Sequence, residues 1–328
     1  MPSSMVKLKM SPRKRKCLTI SEVENLPDIL NVMIVREEAY RCHDYLSISS
    51  WEESFLRKKG GNTIDEYCRD QICEWTYRVV DYFRIDREVV SVSLNYLDRF
   101  LCTCSCDRAT FKLAATTCLY LSVKVVHPQK LGDLGILSDL SRGEFEMKDI
   151  SNMEEIILNA LNWRLYPPTA SHFTTLVLDF LRLEFPYGEL DDLYSNASFF
   201  SELSVCDYFF ISFHSSTVAL ASVLNALEGM MHDIDPGIME KINGIPIPIS
   251  DLLAARNKLW ELYERSEECA LHNDPRQVKP VSSVHANIMN VDSVNSPNAS
   301  PVSIASERHK GSPSWPNTVV GEFRNRGW

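Results

Sequence analysis

The residues with the clearest chemical consequence are one carboxylate and one guanidinium in neighbouring apolar segments. Asp98 lies in segment 87–101, whose apolar residues fall on nearly every side of a helix, so this helix is expected to be buried. A buried carboxylate needs a partner, because an unpaired buried charge costs several kcal/mol. Arg69, on segment 63–84, is the nearest candidate, and the pattern predicts an internal ion pair. The alternative is that Asp98 points to solvent beside Arg99.

The sequence gives little support for catalysis or for a bound cofactor. It contains no glycine-rich phosphate loop, no Gly-x-Ser-x-Gly and no His-Glu-x-x-His, and its eight histidines are scattered. Cys102, Cys104 and Cys106 alternate between two predicted helices. Common zinc sites use wider spacing and a second Cys or His pair. We therefore predict no catalytic group, no metal and no other cofactor.

The composition favours a helical protein with a sizeable core. The chain has 328 residues, of which 45% are apolar, and its 12 glycines and 16 prolines are few for a turn-rich sheet fold. No window of eighteen uninterrupted apolar residues predicts a membrane span, and the N-terminus lacks a signal-peptide core. The ten cysteines are therefore expected to be reduced thiols.

Charge is distributed unevenly along the chain. Residues 1–16 carry six basic residues and no acid, so the rest of the chain has a net charge of −16. An acidic body argues against nucleic-acid binding, which depends mainly on Lys and Arg. Ser11 precedes Pro12 and a basic run at 13–16, the pattern of a proline-directed phosphorylation site and a nuclear-import signal. We expect a location in nucleus and cytoplasm; the alternative is a solvated basic arm.

Periodicity predicts an all-α chain of two helical blocks between polar ends. The predicted regions are a disordered basic arm at 1–27, a first block at 28–166, a second block at 167–271 and a disordered Ser/Pro-rich tail at 272–328. Helices are predicted at 27–46, 50–58, 63–84, 87–101, 108–126 and 145–162, then at 169–182, 189–206, 208–229, 235–241 and 249–268. Two blocks of about five helices suggest an architectural repeat.

Two charged residues have simple explanations as helix stabilisers. Lys124 lies at the C-terminal end of helix 108–126, where the helix dipole favours a cation. Glu154 follows Ser151 at the spacing of a capping box, which predicts a helix start there. The spacing alone gives neither residue a binding role.

The region from Arg69 to Leu101 resembles the start of a cyclin box. The residues that carry the resemblance are Arg69, Trp75 and the run Tyr96-Leu97-Asp98-Arg99-Phe100-Leu101. The resemblance covers roughly residues 30–265 and looks most like plant-type D cyclins, although the Leu-x-Cys-x-Glu motif of typical D cyclins is absent. It implies two tandem cyclin-like five-helix domains with an N-terminal helix. It also implies that the protein binds and activates a cyclin-dependent serine/threonine kinase in cell-cycle control.

The same resemblance implies roles for individual residues. The five positions of the cyclin-box signature are matched by Arg69, Asp98, Leu113, Lys124 and Glu154. Arg69 and Asp98 are then a structural ion pair, whereas Lys124 and Glu154 face the kinase. Leu158, Trp163 and Leu165 match apolar positions that complete the kinase interface; their alternative is a place in the core.

Departures from the family pattern weaken two of these implications. The patch that docks Arg-x-Leu substrate motifs in many cyclins is altered here, and its positions are Cys68, Gln71, Trp75 and Arg78. Docking of kinase substrates is therefore in doubt. The acids usual after Lys124 are replaced by Val125-Val126-His127. This replacement motivates an alternative, a cyclin-fold scaffold that activates no kinase; a transcription-related adaptor of the same fold is a second alternative.

Overall fold

The structure is a computed structural model that describes residues 25–46, 64–104, 106–130, 144–230, 235–245, 247 and 249–272. These residues form helices and connecting segments, with no strand among them, so the all-α prediction is confirmed. An N-terminal helix, α1 (Leu26–Glu37), precedes the first half, whose helices are α2 (Glu66–Tyr82), α3 (Glu88–Leu101), α4 (Arg108–Val126) and α5 (Met147–Ala160). Those of the second half are α6 (Ala170–Phe180), α7 (Tyr187–Cys206), α8 (Ser215–Met230), α9 (Pro236–Asn243) and α10 (Leu252–His272).

Four short 3₁₀ turns join these helices, at Glu38–Tyr40, Pro128–Lys130, Arg182–Glu184 and Tyr208–Ser212. Predicted segment 50–58, Ser11 and the predicted tail beyond His272 lie outside the described residues.

Short polar side chains mark where several helices begin. The carboxylate of Asp65 accepts a hydrogen bond from the backbone N–H of Cys68 at the start of α2, and Asp107 accepts one from Thr110 at the start of α4. Each bond satisfies one of the N–H groups that a helix leaves without an internal partner. These caps explain why α2 and α4 begin close to the predicted positions.

The predicted capping box at Ser151 is wrong. Helix α5 begins at Met147, and its box is formed by Glu146 and Asp149, whose carboxylate accepts from the backbone N–H of Glu146 at 2.9 Å. Ser151 and Glu154 therefore lie inside the helix, and the helix-start explanation for Glu154 no longer applies.

Two predicted helices are shorter than expected. The helical stretch that begins with α1 ends at Tyr40, and Arg41 is extended. Predicted helix 208–229 is broken at Phe213, which is also extended, so that α8 begins only at Ser215. A long-range contact stabilises the later start of α8: the buried carboxylate of Glu37, at the end of α1, accepts the backbone N–H of Ser216 at 2.9 Å and also its hydroxyl. A carboxylate at a helix N-terminus stabilises that start.

Each half has its own hydrophobic core around one central helix. Helix α4 packs against α2, α3 and α5, and its small residues are buried as predicted: Ala114, Ala115, Thr116, Thr117, Cys118 and Ser122. Helix α8 is central in the second half, where it packs against α6, α7 and α10. Of the described helices, α4 alone is long and apolar enough to cross a membrane, but 61% of that window is buried, which is typical of a core helix.

Helix α1 precedes the first half in sequence but packs onto the second. Leu30 is fully buried in the second core, and α1 contacts α6 and α8. Burial raises the pKa of Glu37, against the two bonds from Ser216 and the charge of His214, which lower it. The N-terminal helix is thus fixed to the far half by apolar packing and by the Glu37 carboxylate.

A buried ion pair lies where the two halves meet. Arg69 and Asp98 are each 4% exposed, and the guanidinium binds the carboxylate through two bonds of 2.9 Å, Nε to Oδ1 and Nη2 to Oδ2. Tyr45 donates to the same carboxylate at 2.9 Å. The remaining Arg69 nitrogen, Nη1, donates to the carbonyl oxygen of Val205 at 3.1 Å, which lies on α7 of the second half. The alternative that Asp98 points to solvent is excluded.

Removing the carboxylate of this pair should cost a large part of the stability. Asp98→Ala leaves the Arg69 charge buried without a counter-ion, and we expect unfolding to become easier by roughly 3–5 kcal/mol. The control is Glu74→Ala, which removes the exposed partner of Arg78 on the same helix, α2. It should change stability by about 1 kcal/mol at most. Denaturant unfolding followed by circular dichroism measures both, and equal effects of the two substitutions would contradict the expectation.

Candidate functional site

Lys124 and Glu154 meet on the surface of the first half. Lys124 is in the last turn of α4 and Glu154 is in the middle of α5, and Lys124 Nζ lies 2.7 Å from Glu154 Oε1. The lysine side chain is 50% exposed and the glutamate 15% exposed. The bond to Glu154 raises the pKa of Lys124, and the ring of Tyr120 lies 5.5 Å from the ammonium. The two side chains therefore orient each other, and the lysine is accessible to a partner.

The chain after Lys124 offers apolar groups where acids were expected from the family pattern. Val125 and Val126 are partly buried and pack against the first core. His127 closes α4, with its backbone N–H donating to the carbonyl oxygen of Val123 at 2.7 Å. This end of α4 thus adds no acid to the surface around Lys124.

A strained turn follows α5 and exposes a tryptophan. Asn162 and Trp163 have φ values of 51° and 58°, a left-handed conformation that non-glycine residues adopt rarely. The backbone N–H of Trp163 donates to the carbonyl oxygen of Leu158 at 3.0 Å. As a result the Trp163 side chain is 66% exposed, so the alternative that it belongs to the core is wrong.

Two residues of α3 hold this turn in place. Arg99, which is buried, donates to the carbonyl oxygens of Arg164 at 2.9 Å and Leu161 at 3.1 Å. The hydroxyl of Tyr96 donates to the carbonyl oxygen of Leu165. Sequence reasoning missed this role of Arg99, because backbone carbonyl acceptors leave no signal in the sequence. A buried arginine in an apolar helix was the available clue.

The other predicted interface residues are less exposed than Trp163. Leu158 and Leu165 are partly buried and pack against the first core, as does Leu113 on α4. Leu158 is one helical turn beyond Glu154 and so extends the same side of α5. The structure thus brings Lys124 and Glu154 together, places Leu158 one turn further along α5, and exposes Trp163 in the turn that follows this helix.

Comparisons with known proteins agree with this fold. Residues 26–166 match the family described as "Cyclin, N-terminal domain". The chain is 29% identical over 209 residues to the G2/mitotic-specific cyclin S13-6 of Glycine max, covering 63% of this chain and 41% of that protein. It is 28% identical over 169 residues to the G1/S-specific cyclin-D3 of Bos taurus, covering 51% and 56%.

The chain carries a cyclin N-terminal domain. It spans about half the length of these curated relatives, which include mitotic and G1/S types, so the likeness to plant-type D cyclins stays a prediction. A viral cyclin from herpesvirus saimiri has the same fold, with a TM-score of 0.55 over 73% of this chain and 99% of that chain at 19% identity. Cyclins are regulatory subunits and not enzymes.

The four positions of the altered docking patch do not form an open apolar surface in this cyclin. Cys68 and Trp75 are buried in the first core, whereas Gln71 is half-buried. Arg78 is exposed and forms an ion pair with Glu74 one turn earlier. Whether this patch binds Arg-x-Leu motifs stays an open prediction.

The three alternating cysteines of this cyclin do not converge on a shared point. Within the described residues, no three His, Cys, Asp or Glu side chains form a group that could hold a metal ion. The sulfur of Cys104 contacts the backbone carbonyl of Phe100, whereas that of Cys102 contacts His43. These contacts differ from the shared ligation that a metal would require.

Substituting the exposed tryptophan should leave this cyclin's stability almost unchanged. Trp163→Ala removes a solvated side chain and keeps the Cβ atom, so the left-handed backbone strain is the same in both proteins, and we expect a change within about 0.5 kcal/mol. The matched control is Ile157→Ala on α5, which empties a fully buried site and should cost about 2–5 kcal/mol. Denaturant unfolding measures both free energies of unfolding. A loss of stability in Trp163→Ala as large as that in the control would show that Trp163 belongs to the core.

Proposed function

We propose that this cyclin binds a cyclin-dependent serine/threonine kinase and activates it in cell-cycle control. The observation that carries the proposal is the Lys124–Glu154 pair, whose lysine is exposed, together with the turn after α5 that exposes Trp163. The names of the relatives, which include G1/S-specific and G2/mitotic-specific cyclins, support a role of this kind.

The pair is suited to binding the backbone of a partner. An ammonium has three donors and a carboxylate about four acceptor positions, so the bond between Lys124 and Glu154 uses only part of the capacity of either group. Lysine can then donate to a kinase carbonyl while glutamate accepts a kinase N–H. Because each group already holds the other in place, little side-chain freedom is lost on binding.

Trp163 is suited to the apolar centre of the same interface. Exposed tryptophans are frequent among the residues that contribute most to binding, because a large rigid ring buries much surface at small entropic cost. The bonds from Arg99 fix the turn before any partner arrives. A prearranged turn reduces the ordering that binding requires.

The mechanism of activation would be a shift in the kinase population. A rigid helical face that binds the active kinase more tightly than the inactive one moves the equilibrium toward the active form. The cyclin would supply no catalytic group, and the phosphoryl-transfer chemistry would belong to the kinase.

A scaffold that binds a kinase without activating it is the second candidate. It is favoured because the end of α4 has Val125, Val126 and His127 where the family pattern has acids. Binding and activation must therefore be measured separately. The proposed presence in nucleus and cytoplasm rests on the basic run at 13–16 and has its own test in the fractionation of a tagged chain.

The double substitution Lys124→Ala with Glu154→Ala tests the interface. Each lost charge-assisted hydrogen bond is worth about 1.5–3 kcal/mol, so the pair should weaken kinase binding at least about 100-fold. The fold should survive, because surface ion pairs contribute at most about 1 kcal/mol to stability. The measurements are co-precipitation of the kinase, phosphorylation of a general substrate, and circular dichroism.

The control for this experiment is Lys241→Ala with Glu184→Ala, an exposed ion pair in the second half. It removes the same charges and should leave binding and activity unchanged. A folded Lys124/Glu154 variant that binds and activates its kinase normally would contradict the proposed interface. Wild-type protein that co-precipitates a kinase but does not raise its activity would support the scaffold instead.

A further inference from the structure

Two cysteines from distant parts of the chain are in contact at the junction between the halves. Cys42 lies in the extended segment after α1, and Cys102 lies at the C-terminal end of α3. The two thiols interact, and this interaction shifts the pKa of each. The backbone N–H of His43 donates to the same sulfur at 3.4 Å, and the carbonyl oxygen of His43 lies 3.6 Å from it. The backbone of His43, the residue after Cys42, therefore holds the Cys102 sulfur in place.

The two thiols differ in access and acidity. Cys42 is buried and Cys102 is partly exposed. The hydrogen bond from Cys42, together with that from His43, lowers the pKa of Cys102 to about 7, against burial and the charge of Asp98, which raise it. The pKa of Cys42 is raised by its bond to Cys102 and by burial. Thiolate is the reactive form and peroxide must reach the sulfur, so the partly exposed Cys102 is the nucleophile of the pair and the buried Cys42 is the resolving thiol.

The neighbouring cysteines lack this arrangement. Burial raises the pKa of Cys104, and it raises that of Cys106 to about 12. Like Cys102, both lie just after the last residue of α3, and they serve as internal references for thiol reactivity. A second thiol pair, the buried Cys73 and the exposed Cys206, joins α2 to the end of α7 and serves as a further comparison.

We propose that Cys42 and Cys102 form a reversible disulfide when the protein meets hydrogen peroxide. The Cys102 thiolate attacks the peroxide O–O bond, which breaks to give a sulfenic acid and, after protonation of the leaving hydroxide, water. The Cys42 thiol then attacks the sulfenic sulfur, loses its proton, and a second water leaves as the S–S bond forms. Two thiols are oxidised by two electrons, and one peroxide is reduced to two waters.

The cross-link would fix a segment that connects the two halves. Residues 41–46 follow α1, and Tyr45 bonds to Asp98 on α3. Asp44 accepts from Tyr208 at 2.9 Å, and the backbone N–H of Leu46 donates to the same hydroxyl at 3.0 Å, on the second half. A disulfide at Cys42 would also close a loop of about 60 residues and so raise the thermal midpoint by restricting the unfolded chain. This inference does not depend on kinase binding.

Peptide mapping of the full chain tests the proposal. The reduced protein is treated with hydrogen peroxide, free thiols are blocked with N-ethylmaleimide, and peptides are identified by mass spectrometry. We expect a Cys42–Cys102 linked peptide that dithiothreitol removes, and a thermal midpoint that rises on oxidation and returns on reduction. Before oxidation, iodoacetamide at pH 7 should modify Cys102 at least about 10-fold faster than Cys104.

Cys102→Ser and the matched Cys104→Ser complete the design. The first should abolish the linked peptide and the midpoint shift, whereas the second should leave both intact. In Cys42→Ser, Cys102 should proceed to sulfinic acid, because no thiol resolves the sulfenic acid. A wild-type protein with no Cys42–Cys102 peptide overturns the proposal, and so does linkage only at Cys104, Cys106 or the Cys73–Cys206 pair. The wild-type map needs no variant to fold, and its failure would leave the proposed kinase interface untouched.

Discussion

The fold depends on satisfying one buried carboxylate, that of Asp98. It lies on an apolar helix and receives two bonds from Arg69 on α2 and one from Tyr45 in the segment after α1. Arg69 in turn uses its free nitrogen on a carbonyl of the second half. Burial alone would lower the pKa of Arg69, but the charge and hydrogen bonds of Asp98 raise it above its ordinary value. Four parts of the chain, namely α2, α3, the segment after α1 and the end of α7, must therefore be in place before either charge can leave water.

A buried ion pair is weak evidence for stability, since an apolar pair of similar size often does as well. Its effect is on arrangement: an Arg69 shifted along α2 would leave two charges unpaired, which costs much more than a displaced apolar contact. The second half is located in the same way by Glu37, which binds the start of α8 from the end of α1. Charges thus specify how the two cores are joined, while apolar burial supplies most of the driving force.

The sequence predicted what depends on local pattern. Periodicity placed α2 to α5 within a few residues, and the apolar surroundings of Asp98 pointed to Arg69. The errors have other causes. The start of α8 at Ser215, after the break at Phe213, is stabilised by Glu37, which is far away in the chain. The Ser151 box failed because Glu146 and Asp149 begin the helix one turn earlier. For Arg99 the partners are backbone carbonyls, which no residue type identifies.

The same helix that carries Asp98 also sets the geometry of the candidate interface. Asp98 faces Arg69 and the second half, whereas Tyr96 and Arg99 reach the turn that exposes Trp163. Left-handed backbone at Asn162 and Trp163 is unfavourable by itself and persists only where surrounding bonds hold it. Substitution of Arg99 should therefore release the turn without touching a partner, whereas substitution of Trp163 removes a contact and leaves the turn in place. The distinction between residues that position the interface and residues that form it follows from burial: Arg99 lies within the fold, and Trp163 lies on its surface.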